Sequence, residues 1–141
     1  MLVSDYEAVY DLWMSCAGIG LNDLDDSKEG ITQFLQRNPE TCFVAEVNNK
    51  IVGSILAGND GRRGYIYHTA VHPEYRRQRV ASQLITTVLD ALKHIGIHKI
   101  ALVVFTKNKD GNAFWGNEGF SARDDLVYRN KALTEMKRID T

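Results

Sequence analysis

Residues 70–81 read Ala70-Val71-His72-Pro73-Glu74-Tyr75-Arg76-Arg77-Gln78-Arg79-Val80-Ala81. Val71 closes a β-prone run, Gly64–Val71, and Pro73 ends it because proline has no N–H to give to a ladder. From residue 78 to residue 95 the apolar period becomes helical. Val80, Ala81, Leu84, Ile85, Val88, Leu89 and Leu92 fall on one broad face, and Gly96 stops the helix. The stretch is therefore a strand end, a short loop and the start of a long amphipathic helix. Such a helix start offers unpaired N–H groups at the positive end of the dipole, which suits a phosphate. Arg76, Arg77 and Arg79 add charge there, and small Ala81 lets the backbone approach closely. These properties fit any phosphorylated ligand. They fit a solvated basic helix start equally well.

Working outward, Asp5 precedes an apolar series at helical spacing: Tyr6, Val9, Tyr10, Leu12, Trp13 and Cys16. Gly18 and Gly20 end it. Residues 21–26 read as an acidic loop. Asp26 or Ser27 caps a second helix around residues 31–35, which Asn38-Pro39 stops. Residues 41–47 and 51–57 read as strands joined at the turn pair Asn48-Asn49. Gly58-Asn59-Asp60-Gly61 is a second turn before the third strand. Residues 98–105 predict a further strand, and the unbroken apolar run 100–105 predicts that it is central and buried on both faces. Residues 111–119 predict a short helix, and residues 126–129 begin a last strand. Strands interleaved with helices in this order give an α/β (α+β) sandwich on a mixed sheet. The helix between the third and fourth strands allows that pair to be parallel.

The 141 residues carry no repeat or linker and predict a single domain over residues 1–141. A net charge of -1 favours neither nucleic acid nor an anionic membrane as partner. Cys16 and Cys42 sit in apolar surroundings and read as free, buried thiols, with no metal cluster around them. No apolar run nears the ~20 residues of a membrane span, and no secretory signal is present. These features predict a cytoplasmic protein.

Two segments together resemble the GNAT superfamily, the GCN5-related N-acetyltransferases. The family's central motif reads Val-x-Pro-x-x-[Gln/Arg]-x-x-Gly-x-[Gly/Ala]. Val71, Pro73, Arg76 and Ala81 match it, whereas Arg79 stands at the usual glycine. The downstream segment, from Asn108 to Phe120, is similar to Asn-x-x-Ala-x-x-[Phe/Leu]-Tyr-x-x-x-Gly-Phe. Asn108, Gly119 and Phe120 match. Gly111 stands where alanine is usual, and Trp115 where tyrosine often stands. The resemblance spans residues 6–128. The first strand of the family is very short or missing here, which leaves a sheet edge open to a homodimer partner.

The resemblance implies a mostly antiparallel sheet with helices on both faces and a splayed parallel pair at the cofactor site. It implies acetyl-CoA as co-substrate, without a metal, and direct transfer of the acetyl group to an amine of a small molecule or protein. The implied cofactor contacts are Val71, Arg76, Arg77, Gln78, Arg79, Val80, Ala81, Asn108 and Trp115. The N–H near Val71 would polarise the thioester carbonyl. Arg79 is acceptable in helical backbone and costly if φ is positive, and its place at the helix start favours helical backbone and tolerance. Trp115 either packs on the pantetheine arm or is a core aromatic. Its N–H is too poor an acid to replace a tyrosine.

The general base is not assigned by sequence. Strand parity places Tyr65, Tyr67 and Thr69 on one face and His68 on the other. Glu46 is the nearest carboxylate, but a glutamate on such a strand is more often simply exposed. Asp23, Asp25 and Asp26 either attract a cationic amine or form a solvated loop. The alternative function is a non-catalytic acyl-CoA-binding or sensing protein of the same fold.

Overall fold

A computed structural model describes residues 1–141. Helices α1 (Tyr6–Met14) and α2 (Lys28–Arg37) come first, with the two-residue strand β1 (Leu21–Asn22) between them. Strands β2 (Cys42–Val47), β3 (Lys50–Asn59) and β4 (Gly64–Val71) follow. Helix α3 (Val80–His94), strand β5 (Ile100–Ala101), helix α4 (Lys109–Asn117) and strand β6 (Arg138–Ile139) complete the chain. The main sheet has the order β2-β3-β4-β5. Its first two pairings are antiparallel and β4–β5 is parallel. Strands β1 and β6 form a separate antiparallel pair. Residues 1–5 contribute no strand; Val3–Asp5 is a 3-10 turn. No helix is long and apolar enough to cross a membrane.

The hairpin turn follows from its residues. Asn48 and Asn49 have φ of 51° and 61°. A two-residue loop with both φ values positive matches the twist of the strands it joins, and asparagine tolerates that backbone better than most residues. Ser27, rather than Asp26, caps α2: its side chain accepts from the Gly30 N–H at 3.1 Å.

The strand buried on both faces is β3, not the strand after α3. Val52 through Gly58 are seven consecutive buried residues. Small residues make this possible. A Cβ on Gly53 would meet Val80 and Leu84 of α3, and one on Gly58 would meet Phe34 of α2. The helices therefore sit close against both faces. On one face Val9, Leu12 and Trp13 pack with Ile31 and Leu35 over Leu56 and Ala70. On the other, Leu84, Ile85, Val88 and Leu92 pack over Ile55, Ala57 and Ile66.

Three expectations need correction. The run 100–105 is not a central strand. Only Ile100 and Ala101 pair, with Gly64 and Tyr65, and Val103 is 60% exposed. A strand at the sheet edge has no second neighbour to bury its outer face, so its apolar residues cannot be read as core. Residues 126–129 form no strand; Leu126, Val127 and Tyr128 are exposed. The parity of β4 also breaks. Ser54 opposes Ala70 but Leu56 opposes Tyr67, so Ile55 faces two residues, His68 and Thr69. This is a β-bulge, which adds one residue and reverses the alternation beyond it. His68 therefore joins Tyr67 on the α1–α2 side, and Thr69 turns away from it.

Candidate functional site

Strand β4 parts from β5 after two residue pairs, which leaves residues 66–71 with no neighbour on that side. The His72 N–H donates to the Val52 carbonyl at 2.9 Å. Alternation along an antiparallel strand then turns the Val71 peptide groups away from β3, into the gap. The Val71 carbonyl agrees with this direction. It accepts from Cys16 Sγ at 3.4 Å and from Arg76 Nε at 3.3 Å. The Val71 N–H is thus aimed into a cleft between two diverging parallel strands.

The turn that follows is built from unusual backbone. His72 caps a 3-10 turn, Pro73–Tyr75, by accepting from the Glu74 N–H. Gln78 Nε2 donates back to the Glu74 carbonyl at 3.1 Å. Arg77 and Arg79 then adopt φ of 59° and 65°, both left-handed. Arg79 is the N-cap of α3, and it makes no side-chain capping bond. The expectation of a helical backbone at Arg79 is therefore corrected: its φ is the one that glycine favours, and it costs other residues about 1–2 kcal/mol. Left-handed residues at 77 and 79 gather successive N–H groups into a concavity, and such concavities bind anions. Val80, Ala81 and Ser82 add the N–H groups of the first helical turn, which have no partner within the helix. None of Arg76, Arg77 or Arg79 forms a salt bridge within the chain. Backbone donors, helix dipole and free guanidinium charge converge at one place, beside the gap.

The downstream residues reach the same region with different duties. Asn108 caps α4, accepting from the Gly111 N–H at 2.9 Å. Its Nδ2 lies against Gly18, where a Cβ would approach to 3.4 Å. Gly111 is required where alanine is usual, because a Cβ there would come within 2.7 Å of the same Asn108 amide. Trp115 packs between Phe114 and Phe120, with ring centroids at 5.4 and 4.9 Å, in the α3-side core. The core-aromatic reading of Trp115 thus has direct contacts behind it. Sequence reading missed Glu118, whose carboxylate accepts from Ser82 Oγ at 2.6 Å and ties the end of α4 to the first turn of α3.

The face of β4 toward α1 and α2 is aromatic and partly acidic. Tyr65 and Tyr67 stack at 4.8 Å, and Phe34 meets Tyr67 edge-on at 5.6 Å. Burial, then neighbouring Tyr128, holds both phenols above the usual tyrosine range. They remain neutral hydrogen-bond donors at physiological pH. Glu46 is exposed on β2, two strands from the gap. The carboxylate nearest the strand is instead Asp26, which is 3% exposed and sits 2.5 Å from His68 Nε2. Of the acidic loop, Asp23 accepts from the Lys137 N–H and Asp25 from Asn22 Nδ2, and both carboxylates are exposed. Nothing in the pattern of residues 21–26 singles Asp26 out, because the bulge that brings His68 to it lies 42 residues away.

The two cysteines are free and buried. Desolvation pushes the Cys42 thiol up to about 11, which leaves it protonated and inert.

Residues 6–120 match the model of a family described as "Acetyltransferase (GNAT) family". An acetyltransferase of Pectobacterium atrosepticum is 39% identical over 104 residues, which is 74% of this chain and 72% of that protein. An acetyltransferase of Sodalis glossinidius is 34% identical over 131 residues, covering 93% and 91%. Among solved structures, Ard1 from Thermoplasma volcanium superposes with a TM-score of 0.74 at 23% identity, over 86% of this chain and 79% of that one. An aminoglycoside N-acetyltransferase solved in complex with CoA gives 0.71 at 18% identity, over 94% and 96%. These distant likenesses concern the fold alone.

Proposed function

The chain belongs to the GNAT family of acetyltransferases, and from that premise we propose that it carries acetyl-CoA on the turn from Arg76 to Ala81 and passes the acetyl group to an amine. The observation that carries this reading is the pair of left-handed arginines at the start of α3, set beside the β4–β5 gap. A diphosphate needs several N–H donors converging on one point, and this backbone supplies them. Arg77 and Arg79 supply charge, whereas Arg76 also braces the turn through the Val71 carbonyl.

When bound, acetyl-CoA supplies a thioester carbon open to attack. The chain's part is to hold and polarise it. The Val71 N–H faces the gap and would donate to the thioester oxygen as negative charge develops there. A fixed donor in a water-poor cleft is worth more than the same donor in water. Asn108 and Trp115 would border the pantetheine arm, Trp115 with whatever edge of its indole Phe114 and Phe120 leave open. The acceptor approaches from the α1–α2 side, along Phe34, Tyr65 and Tyr67. The non-catalytic sensing alternative gains no support from the relatives, which carry the name acetyltransferase.

Calorimetry tests the cofactor assignment. The Arg76→Ala/Arg77→Ala double variant is expected to bind acetyl-CoA at least about 10-fold more weakly than the unaltered protein, since charge-assisted hydrogen bonds contribute roughly 1.5–3 kcal/mol each. Equal affinity in both proteins would remove the pyrophosphate assignment.

A further inference from the structure

We propose that His68 accepts the proton of the incoming amine and that Asp26 is the residue that positions it; this rests on the acetyl-transfer reading above. The two side chains come from different parts of the chain. Asp26 ends the segment between α1 and α2, and His68 stands in the bulge of β4. His68 Nε2 lies 2.5 Å from Asp26 Oδ1.

The surroundings of Asp26 are arranged to keep it there. Its second oxygen accepts from the Asn22 N–H at 2.7 Å, and its carbonyl accepts from the Tyr6 hydroxyl at 2.9 Å. A buried carboxylate is costly unless hydrogen bonds hold it. No lysine or arginine pairs with it, so the imidazole is its one side-chain partner. A carboxylate can only accept. It therefore keeps the hydrogen on Nε2 and leaves the lone pair of the neutral ring on Nδ1. Nδ1 has no hydrogen-bond partner in the chain and is not sealed from solvent: the one buried side-chain polar atom without a partner is Thr69 Oγ1. The ring thus keeps one nitrogen without a partner and within reach of solvent while the other is anchored on Asp26.

The backbone points the same way. His68 has a φ of 37°, which is rare for a residue with a Cβ. Outliers of this kind persist where the surrounding structure enforces them, and they gather at functional sites. Here α1 and β3 enforce it. The Trp13 ring packs on the imidazole at 4.9 Å and donates from Nε1 to Ser54 Oγ, which itself donates to the His68 carbonyl at 3.4 Å. The groups facing the imidazole are Asp26 from the loop, uncharged Trp13 from α1 and neutral Tyr67 on its own strand, while Ser54 of β3 reaches the His68 carbonyl. Tyr6 of α1 acts only through Asp26, and Asp25 lies toward Tyr67. Asp26 is the one acid bonded to the ring. His68 precedes Val71 by three residues, at most about 10 Å of strand, so water relays the proton from an amine seated near the Val71 N–H to the ring.

The proton balance is simple. An N–H bond of the ammonium breaks, its electron pair stays on nitrogen, and the proton moves to Nδ1. Asp26 stabilises the resulting imidazolium. The neutral nitrogen then bonds to the acetyl carbon as the carbon–sulfur bond breaks. Of the two protons that the nitrogen loses in all, one passes from Nδ1 to water and the other ends on the departing sulfur.

The test uses the full chain with the fastest acceptor from a panel of spermidine, tyramine, kanamycin and an alanine-initiated tetrapeptide, following thiol release. His68→Asn is the main variant, because asparagine tolerates left-handed backbone. His68→Gly, equally tolerant, is assayed with and without added imidazole. Both are expected to bind acetyl-CoA within about 2-fold of the unaltered protein and to lose roughly 100-fold or more in kcat. The acidic limb of the kcat/KM profile should vanish in both, and imidazole should restore part of the His68→Gly rate. Asp26→Asn should lose less, about 10-fold, and shift that limb rather than abolish it. A kcat within about 3-fold of the unaltered protein, with the acidic limb intact, would overturn the proposal and leave the pair as a structural tie. If the unaltered protein binds acetyl-CoA but acetylates no amine, the proposed function falls and the dyad with it. That outcome is distinct from an active protein with active variants.

Discussion

The two sides of β4 follow different rules. Toward β3, the strand is paired from Gly64 to Val71, interrupted once by the bulge, and every residue of β3 from Val52 to Gly58 is buried. Toward β5, two residue pairs form and then the strands part. Beyond β5 the chain exposes Val103, Leu126, Val127 and Leu133. The paired side holds the apolar area that stabilises the fold. The open side keeps peptide groups unpaired, and those groups are what a ligand needs. Stability and ligand binding are thus divided across one strand, with the cost of unpaired backbone confined to the side that uses it.

That division can be broken by substitution. Ile55 is fully buried in β3. Ile55→Ala should cost about 2–5 kcal/mol, read as a lower urea midpoint with an unchanged slope. Gly64 stands at the junction of the two regimes, and a Cβ there would come within 2.6 Å of the Ile100 side chain. Gly64→Ala should therefore cost about 1–3 kcal/mol. Because it wedges β5, it should also weaken acetyl-CoA binding, which Ile55→Ala should not do in the folded protein. Arg79→Gly works in the opposite direction. Releasing a left-handed non-glycine residue should stabilise the chain by about 1 kcal/mol. Calorimetry then separates its two roles: affinity that holds or rises means that the backbone does the binding, and a large loss means that the guanidinium grips phosphate. At the small end, Val127→Ser should change stability by no more than about 0.5 kcal/mol, because Val127 is 75% exposed.

The paired side was the more legible in sequence. Gly61 and Pro73 punctuate both ends of Gly64–Val71, so its bounds are readable from the residues alone. The asparagine pair marked its hairpin turn. The α3 start was placed within two residues, and its arginines were identified by type and spacing. What failed has one physical origin. Apolar runs report that a segment avoids water somewhere, not which neighbour covers it. The run 100–105 looked central because it is continuous, whereas β3 looked ordinary because Gly53, Ser54, Ala57 and Gly58 dilute its hydropathy. Those small residues are what allow α2 and α3 to close on it. The pairing of Asp26 with His68 was illegible for a related reason. Parity arguments assume an unbroken ladder, and a bulge is a relation between two strands that neither encodes alone. At Arg79 the position at a helix start favours a right-handed backbone, yet the turn from Pro73 to Gln78 forces φ to 65°, a tertiary constraint that no local pattern carries.

The bulge gives β4 two reading frames. Upstream of His68, odd-numbered residues face α1 and α2; downstream of it, even-numbered residues do. A change in acceptor preference is therefore not to be sought by substituting one alternate series along the whole strand. Tyr65 and Tyr67 belong to one frame and Ala70 to the other, with His68 at the point where they meet. Removing His68 would put the strand back in one frame without moving residues 69–71 from their register with β3, so the Val71 N–H would keep the cleft while the side chain bonded to Asp26 is lost.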